Sequence, residues 1–190
     1  GGKGRQHAQA AGFERGDHAV VMVGVAGQQV GAQQQHAHRA LLAAGGHARQ
    51  FSGIHAIAVG PEGRIFALDR SNGRINVFKT TSDPAKVEFV DAWPGFRLPL
   101  DIIVNDDALW VADLSPLRLV KLDFSGRHLY TWMVPAELPD GYLEVHAFTV
   151  DTDGHLYGGD NQYGRTQKFR AKSSADPALL IGQPWTGVRR

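Results

Sequence analysis

The chain has no cysteine, which excludes disulfide frameworks and thiolate chemistry of either the metal-binding or the nucleophilic kind and leaves the redox compartment open. It has no long apolar run either. The best stretch, Ala19 to Ala26, is too short to span a bilayer, and the first thirty residues lack the basic, apolar, small-residue order of a signal peptide. No membrane span is expected, and the compartment is not legible. A large excess of one charge is also missing: 20 Lys and Arg stand against 19 Asp and Glu. After residue 50 the balance is 15 basic to 17 acidic residues, so a nucleic-acid backbone finds no electrostatic footing.

Residues 1–50 lack Ser, Thr, Pro, Asn, Ile, Tyr and Trp altogether, and Ala, Gly, Gln and His supply 34 of the 50 positions. A segment of that composition buries too little apolar surface to offset its ordering entropy. It is expected to be a mostly disordered or spurious low-complexity extension, with at most a short helix near Arg39 to Ala44. The pair His36 and His38 reads as biased composition.

What is present is a repeat. Its first copy runs from His55 to Phe78, its second from Leu100 to Leu122 and its third from His146 to Phe169. An Asp closes the second apolar run of each copy, and Asp69, Asp113 and Asp160 are 44 and 47 residues apart. An Arg follows five residues later (Arg74, Arg118, Arg165), and a large apolar residue four after that (Phe78, Leu122, Phe169). Turn signals at Pro61 to Gly63 and Ser71 to Gly73 cut the first copy into short strands, as hairpins require. A fourth run follows in each unit: Val87 to Trp93, His128 to Val134, and Ala178 to Trp185.

Antiparallel four-stranded units that recur every forty-odd residues are the signature of propeller blades, whose faces are buried against their neighbours. The fold expected for residues 51–190 is therefore all-β, with three blades at 55–93, 100–132 and 146–185. Three blades leave two open faces, so self-association through those faces is expected. The recurring Asp and Arg read as scaffold, pairing across a hairpin in every blade. Arg70 is different, because its counterparts are Leu114 and Asn161. His55 and His146 open the inner strands of the first and third units, where a side chain can face the central axis. Imidazoles from alternate blades of a six-bladed ring suit a zinc ion with an open coordination position. His128 and His155 read as surface residues.

The cassette His55-Ala56-Ile57-Ala58, continued by Asp69-Arg70-Ser71-Asn72-Gly73-Arg74-Ile75 to Phe78, resembles the NHL repeat and, within it, the six-bladed propeller of peptidyl-α-hydroxyglycine α-amidating lyase. The resemblance covers about 130 residues. It implies half of a six-bladed ring, with His55 and His146 as two of three zinc ligands and Arg70 as an active-site residue. The implied reaction is zinc-assisted cleavage of a C–N bond, releasing a peptide amide and glyoxylate. Blades carrying that family's first zinc His and its catalytic Tyr have no counterpart in this sequence, so the chain is expected to be an incomplete, inactive fragment. The alternative is a non-catalytic module that binds a protein, a small peptide-like ligand or a carbohydrate at its loop face. A lactonase-like reaction would need acidic ligands at the inner-strand starts, and those positions hold His55, Leu100 and His146.

Overall fold

In a computed structural model, residues 13–15, 51–83, 86–105, 108–134 and 144–181 are described. Their strands are β1 (Phe13–Arg15), β2 (Ile54–Val59), β3 (Arg64–Asp69), β4 (Arg74–Thr80), β5 (Val87–Pro94), β6 (Pro99–Asn105), β7 (Ala108–Leu114), β8 (Leu117–Asp123), β9 (His128–Met133), β10 (Ala147–Val150), β11 (Leu156–Asp160) and β12 (Arg165–Ala171). They form three antiparallel four-stranded sheets, β2-β3-β4-β5, β6-β7-β8-β9 and β10-β11-β12-β1. Among the described residues the only helical pieces are single 3-10 turns. The all-β, three-bladed expectation therefore holds.

Alternation along each strand decides which blade a residue meets. In blade one, Ala58, Phe66 and Val77 stand in register, as do Leu68 and Ile75, and both rows point at blade two. They join Ile102, Val104, Leu109 and Val111 in one core. The opposite side of blade two, with Trp110, Ala112, Leu119 and Trp132, packs on Phe148, Val150, Leu156 and Phe169 of blade three. Turn chemistry fixes the crossings. Gly73 takes a left-handed φ of 60° at the end of its 3-10 turn, and a Cβ there would sit 2.4 Å from the Phe96 carbonyl of the crossing to blade two. Only glycine meets both demands.

The recurring Asp is the scaffold that its repetition suggested. Asp69 is fully buried and gathers Ser52 N, Asn72 Nδ2 and Arg74 Nε at 2.7 to 3.0 Å. Asp113 likewise takes Leu98 N at 2.8 Å and Arg118 Nη2 at 2.8 Å. Each carboxylate thus ties the loop entering its blade to the hairpin between the second and third strands. In blade three, Asp160 accepts Gln162 N and Tyr163 N, and the Arg165 guanidinium lies over the Tyr163 ring at 4.7 Å.

One strand differs from expectation. The outer position of blade three, assigned from the sequence to 178–185, is held by β1, with Glu14 opposite Arg170. The predicted run instead starts with a 3-10 turn, Pro177–Leu179, capped by the Asp176 side chain on Ala178 N. Proline has no N–H for a ladder, and the carbonyls of Ala178 and Leu180 are taken by Lys121 Nζ at 2.8 and 3.3 Å. Ile181 is buried in the core between blades two and three, and its carbonyl accepts from Asn105. Residues 182–185, the crossing 135–143 and the helix expected near Arg39 lie outside the described residues. Within 1–50, only the strand Phe13–Arg15 is described, and it takes the edge of β12.

Candidate functional site at the inner-strand rim

His55 sits at the extra position of a β-bulge: Ile54 pairs with Asp69 and Ala56 with Leu68, leaving residue 55 between them. Bulges re-aim a side chain relative to the pleat. The same irregularity recurs in blade two, where Leu100 lies between Pro99 and Asp101. His146 immediately precedes β10, and its N–H donates to Gly159 O at 2.9 Å. The rotation that relates the blades therefore brings the two histidines together, and their rings lie 5.3 Å apart, centre to centre, at 74°. Sharing one rim was expected from the repeat.

Leu100, between them in the ring, is buried and contributes its backbone instead of its side chain. His55 Nδ1 lies 2.5 Å from Leu100 O, and a carbonyl only accepts, so that nitrogen carries the proton. His146 Nδ1 lies 2.5 Å from Glu144 Oε1. Both rings thus keep Nε2 as the nitrogen with a free lone pair, the arrangement that suits an imidazole for metal ligation. As a donor set for zinc, two imidazoles so held fit in type; they fall short of the three protein ligands a stable open site uses.

Arg70 begins the turn directly after β3, and its N–H donates to Gly53 O at 3.0 Å. Since Asp69 is the register partner of Ile54, Arg70 is anchored at the same end of blade one as His55. Two acidic residues near the histidines were not anticipated. Asp101 accepts Ile102 N and, across the blade boundary, Phe148 N, each at 2.9 Å. Burial raises its carboxyl above the ordinary value, while those two N–H groups and the neighbouring His55 and His146 pull it back down. Glu144 is buried as well. Asp101 could have been noticed as the neighbour of Leu100; Glu144 lies ahead of the third repeat, where no periodicity pointed to it.

A second cluster lies in the turn between β10 and β11, where ligand atoms of Asp151, Asp153 and His155 are within 4.8 Å of one another. It is internally satisfied. Asp151 accepts His155 N, His155 Nδ1 and Tyr157 Oη at 2.9 to 3.0 Å, and Lys168 Nζ stands 3.8 Å away. His155 is half-buried against Asp151, while His128 is exposed and bonds Thr131.

Three blade-like sheets around a common set of inner strands define a propeller-type chain. One solved structure bears this out at the level of fold: a luciferin-regenerating enzyme matches at 12% identity and a TM-score of 0.50, covering 71% of this chain and 50% of its own. A putative 6-phosphogluconolactonase from Bacteroides uniformis matches at 12% identity and a TM-score of 0.47, covering 69% of this chain and 56% of its own. The chain thus spans about half the length of the first of these and little more of the second. No family model and no curated protein sequence matches it.

Proposed function

We propose that this chain is part of an NHL-type propeller similar to peptidyl-α-hydroxyglycine α-amidating lyase, carrying two of the imidazoles and one of the arginines of a zinc-dependent C–N lyase site. The observation that supports the reading is the His55 and His146 pair, with rings 5.3 Å apart and both Nδ1 atoms already engaged. His55 and His146 would hold the ion through Nε2. Bound zinc supplies Lewis-acid polarisation of a substrate hydroxyl or carboxylate. Arg70, at the same rim, would carry the countercharge for that carboxylate and orient the substrate. Asp101 is committed to two backbone N–H groups, so a lactonase-like acidic ligand set gains little from it.

Zinc titration of the purified chain tests the proposal. About one equivalent should bind weakly, His55→Ala or His146→Ala should abolish binding, and His155→Ala should not. Glyoxylate release from a peptidyl-α-hydroxyglycine is not expected without the remaining blades. If no zinc binds, the lyase reading fails and a binding module for a protein, peptide or carbohydrate at the loop face takes its place.

A further inference from the structure

The two imidazoles are held by unlike devices. His55 leans on a backbone carbonyl from the neighbouring blade, which no side-chain change can remove. His146 leans on a carboxylate that is itself braced. Glu144 Oε1 takes the His146 contact, and Oε2 accepts Gln162 Nε2 at 3.1 Å, so both oxygens are committed and the group cannot swing away. Gln162 is in turn placed by its N–H on Asp160, the recurring scaffold carboxylate of blade three. An unbroken line of hydrogen bonds runs from the repeat's scaffold to one ring nitrogen. Asn161 Nδ2 also approaches His146 Nδ1, at 3.2 Å. A nitrogen that donates its proton to Glu144 has no lone pair left for that amide, and the much shorter carboxylate contact prevails.

We infer that Glu144 is the positioning residue of the rim: it pins the His146 proton on Nδ1, leaves Nε2 as the nitrogen free to ligate, and makes His146 the more electron-rich donor of the pair. The first two consequences follow from geometry. The third follows because an anionic acceptor polarises an imidazole N–H more than a neutral carbonyl does. The assignment rests on the reading of His146 as a metal ligand, and the experiment separates the two.

The test is a long-range proton–nitrogen spectrum of the 15N-labelled full chain without metal, recorded at pH about 8, where imidazoles are in general neutral. Wild type should show both His55 and His146 protonated on Nδ1. In Glu144→Ala, His146 should shift toward the Nε2-protonated form while His55 stays unchanged, and Glu144→Gln, whose amide oxygen can still accept, should restore the Nδ1 form. Zinc affinity should fall roughly 10-fold to 100-fold in Glu144→Ala and much less in Glu144→Gln. A wild-type spectrum with His146 protonated on Nε2 overturns the assignment without any variant, as does a Glu144→Ala spectrum identical to wild type. If the tautomers respond as expected but wild type takes up no zinc, the positioning role stands and the metal reading falls.

Discussion

Blade one and blade three present equivalent faces in the direction of chain progress, and the two differ at every position but the first. On blade one that face is Ala56, Ala58, Phe66, Leu68, Ile75 and Val77, and most of it is buried in the core shared with blade two. Counting from the recurring Asp and from the paired histidines, the same positions in blade three are Ala147, Thr149, Tyr157, Gly159, Thr166 and Lys168. Ala147, Thr149 and Thr166 are exposed, and the Lys168 ammonium lies 5.2 Å from the Tyr157 ring centre. Blade two is intermediate: Trp110 and Leu119 are buried, while Lys121, in the place of Val77, lies 5.7 Å from the Trp110 ring and caps the carbonyls of Ala178 and Leu180. One template has thus been graded from a packing surface to a wetted one.

The largest effect that would break this comparison is a cavity. Phe66→Ala should cost about 3 to 5 kcal/mol by urea denaturation, since Phe66 is fully buried, whereas its equivalent Tyr157→Ala should cost far less. Equal losses would show that the two faces carry equal loads. Next comes the scaffold of the blade between them: Asp113→Ala strips Arg118 of its buried partner and leaves Leu98 N unpaired, a loss of about 3 kcal/mol or more. A smaller change sharpens the contrast. Thr149→Val, Thr166→Ile and Lys168→Val together give blade three an apolar face, and sedimentation velocity should then show stronger concentration-dependent association than wild type. Tyr157→Phe removes only the hydroxyl that donates to Asp151 and should cost about 1 kcal/mol.

The smallest effect is pH-dependent. Burial of Asp151 works to raise its carboxyl, but hydrogen bonds from the His155 backbone and ring and from Tyr157 outweigh it and hold the group below its ordinary 3.8. A carboxyl lowered in the folded state contributes stability that is present above the unfolded value and is lost as pH falls through the folded one. Blade three should therefore loosen slightly below pH 3.8, and Tyr157→Phe should shrink that dependence. An acid titration of stability for both proteins checks the sign.

The fold was legible because its cause is periodic: Asp69, Asp113 and Asp160 recur at blade spacing, and each closes a hairpin in the structure. The rim was legible for the same reason, since equivalent positions of a rotated unit must converge, and His55 and His146 do. What escaped was non-periodic. Glu144 belongs to no repeat, and its bond to His146 depends on how the entering loop turns. Asp101 was masked by its neighbour Leu100, which occupies the aligned position. The outer strand of blade three escaped because the choice between 178–185 and Phe13–Arg15 depends on what else competes for each backbone. Lys121 wins the carbonyls of the former, and no local pattern announces that.

The pairing of β1 with β12 has a kinetic corollary. Phe13 meets Ala171 across nearly the whole chain, while the other strands pair with partners that follow within a short hairpin. Loop closure grows as (3/2)RT ln n, so bringing those ends together costs about 2 to 3 kcal/mol more than closing a hairpin of a few residues. On a ribosome the first of these strands is made early and its partner late. The blades can zip up in order from local contacts, but the last sheet must wait for the returning N-terminal segment, and that docking is expected to be the slowest step of folding.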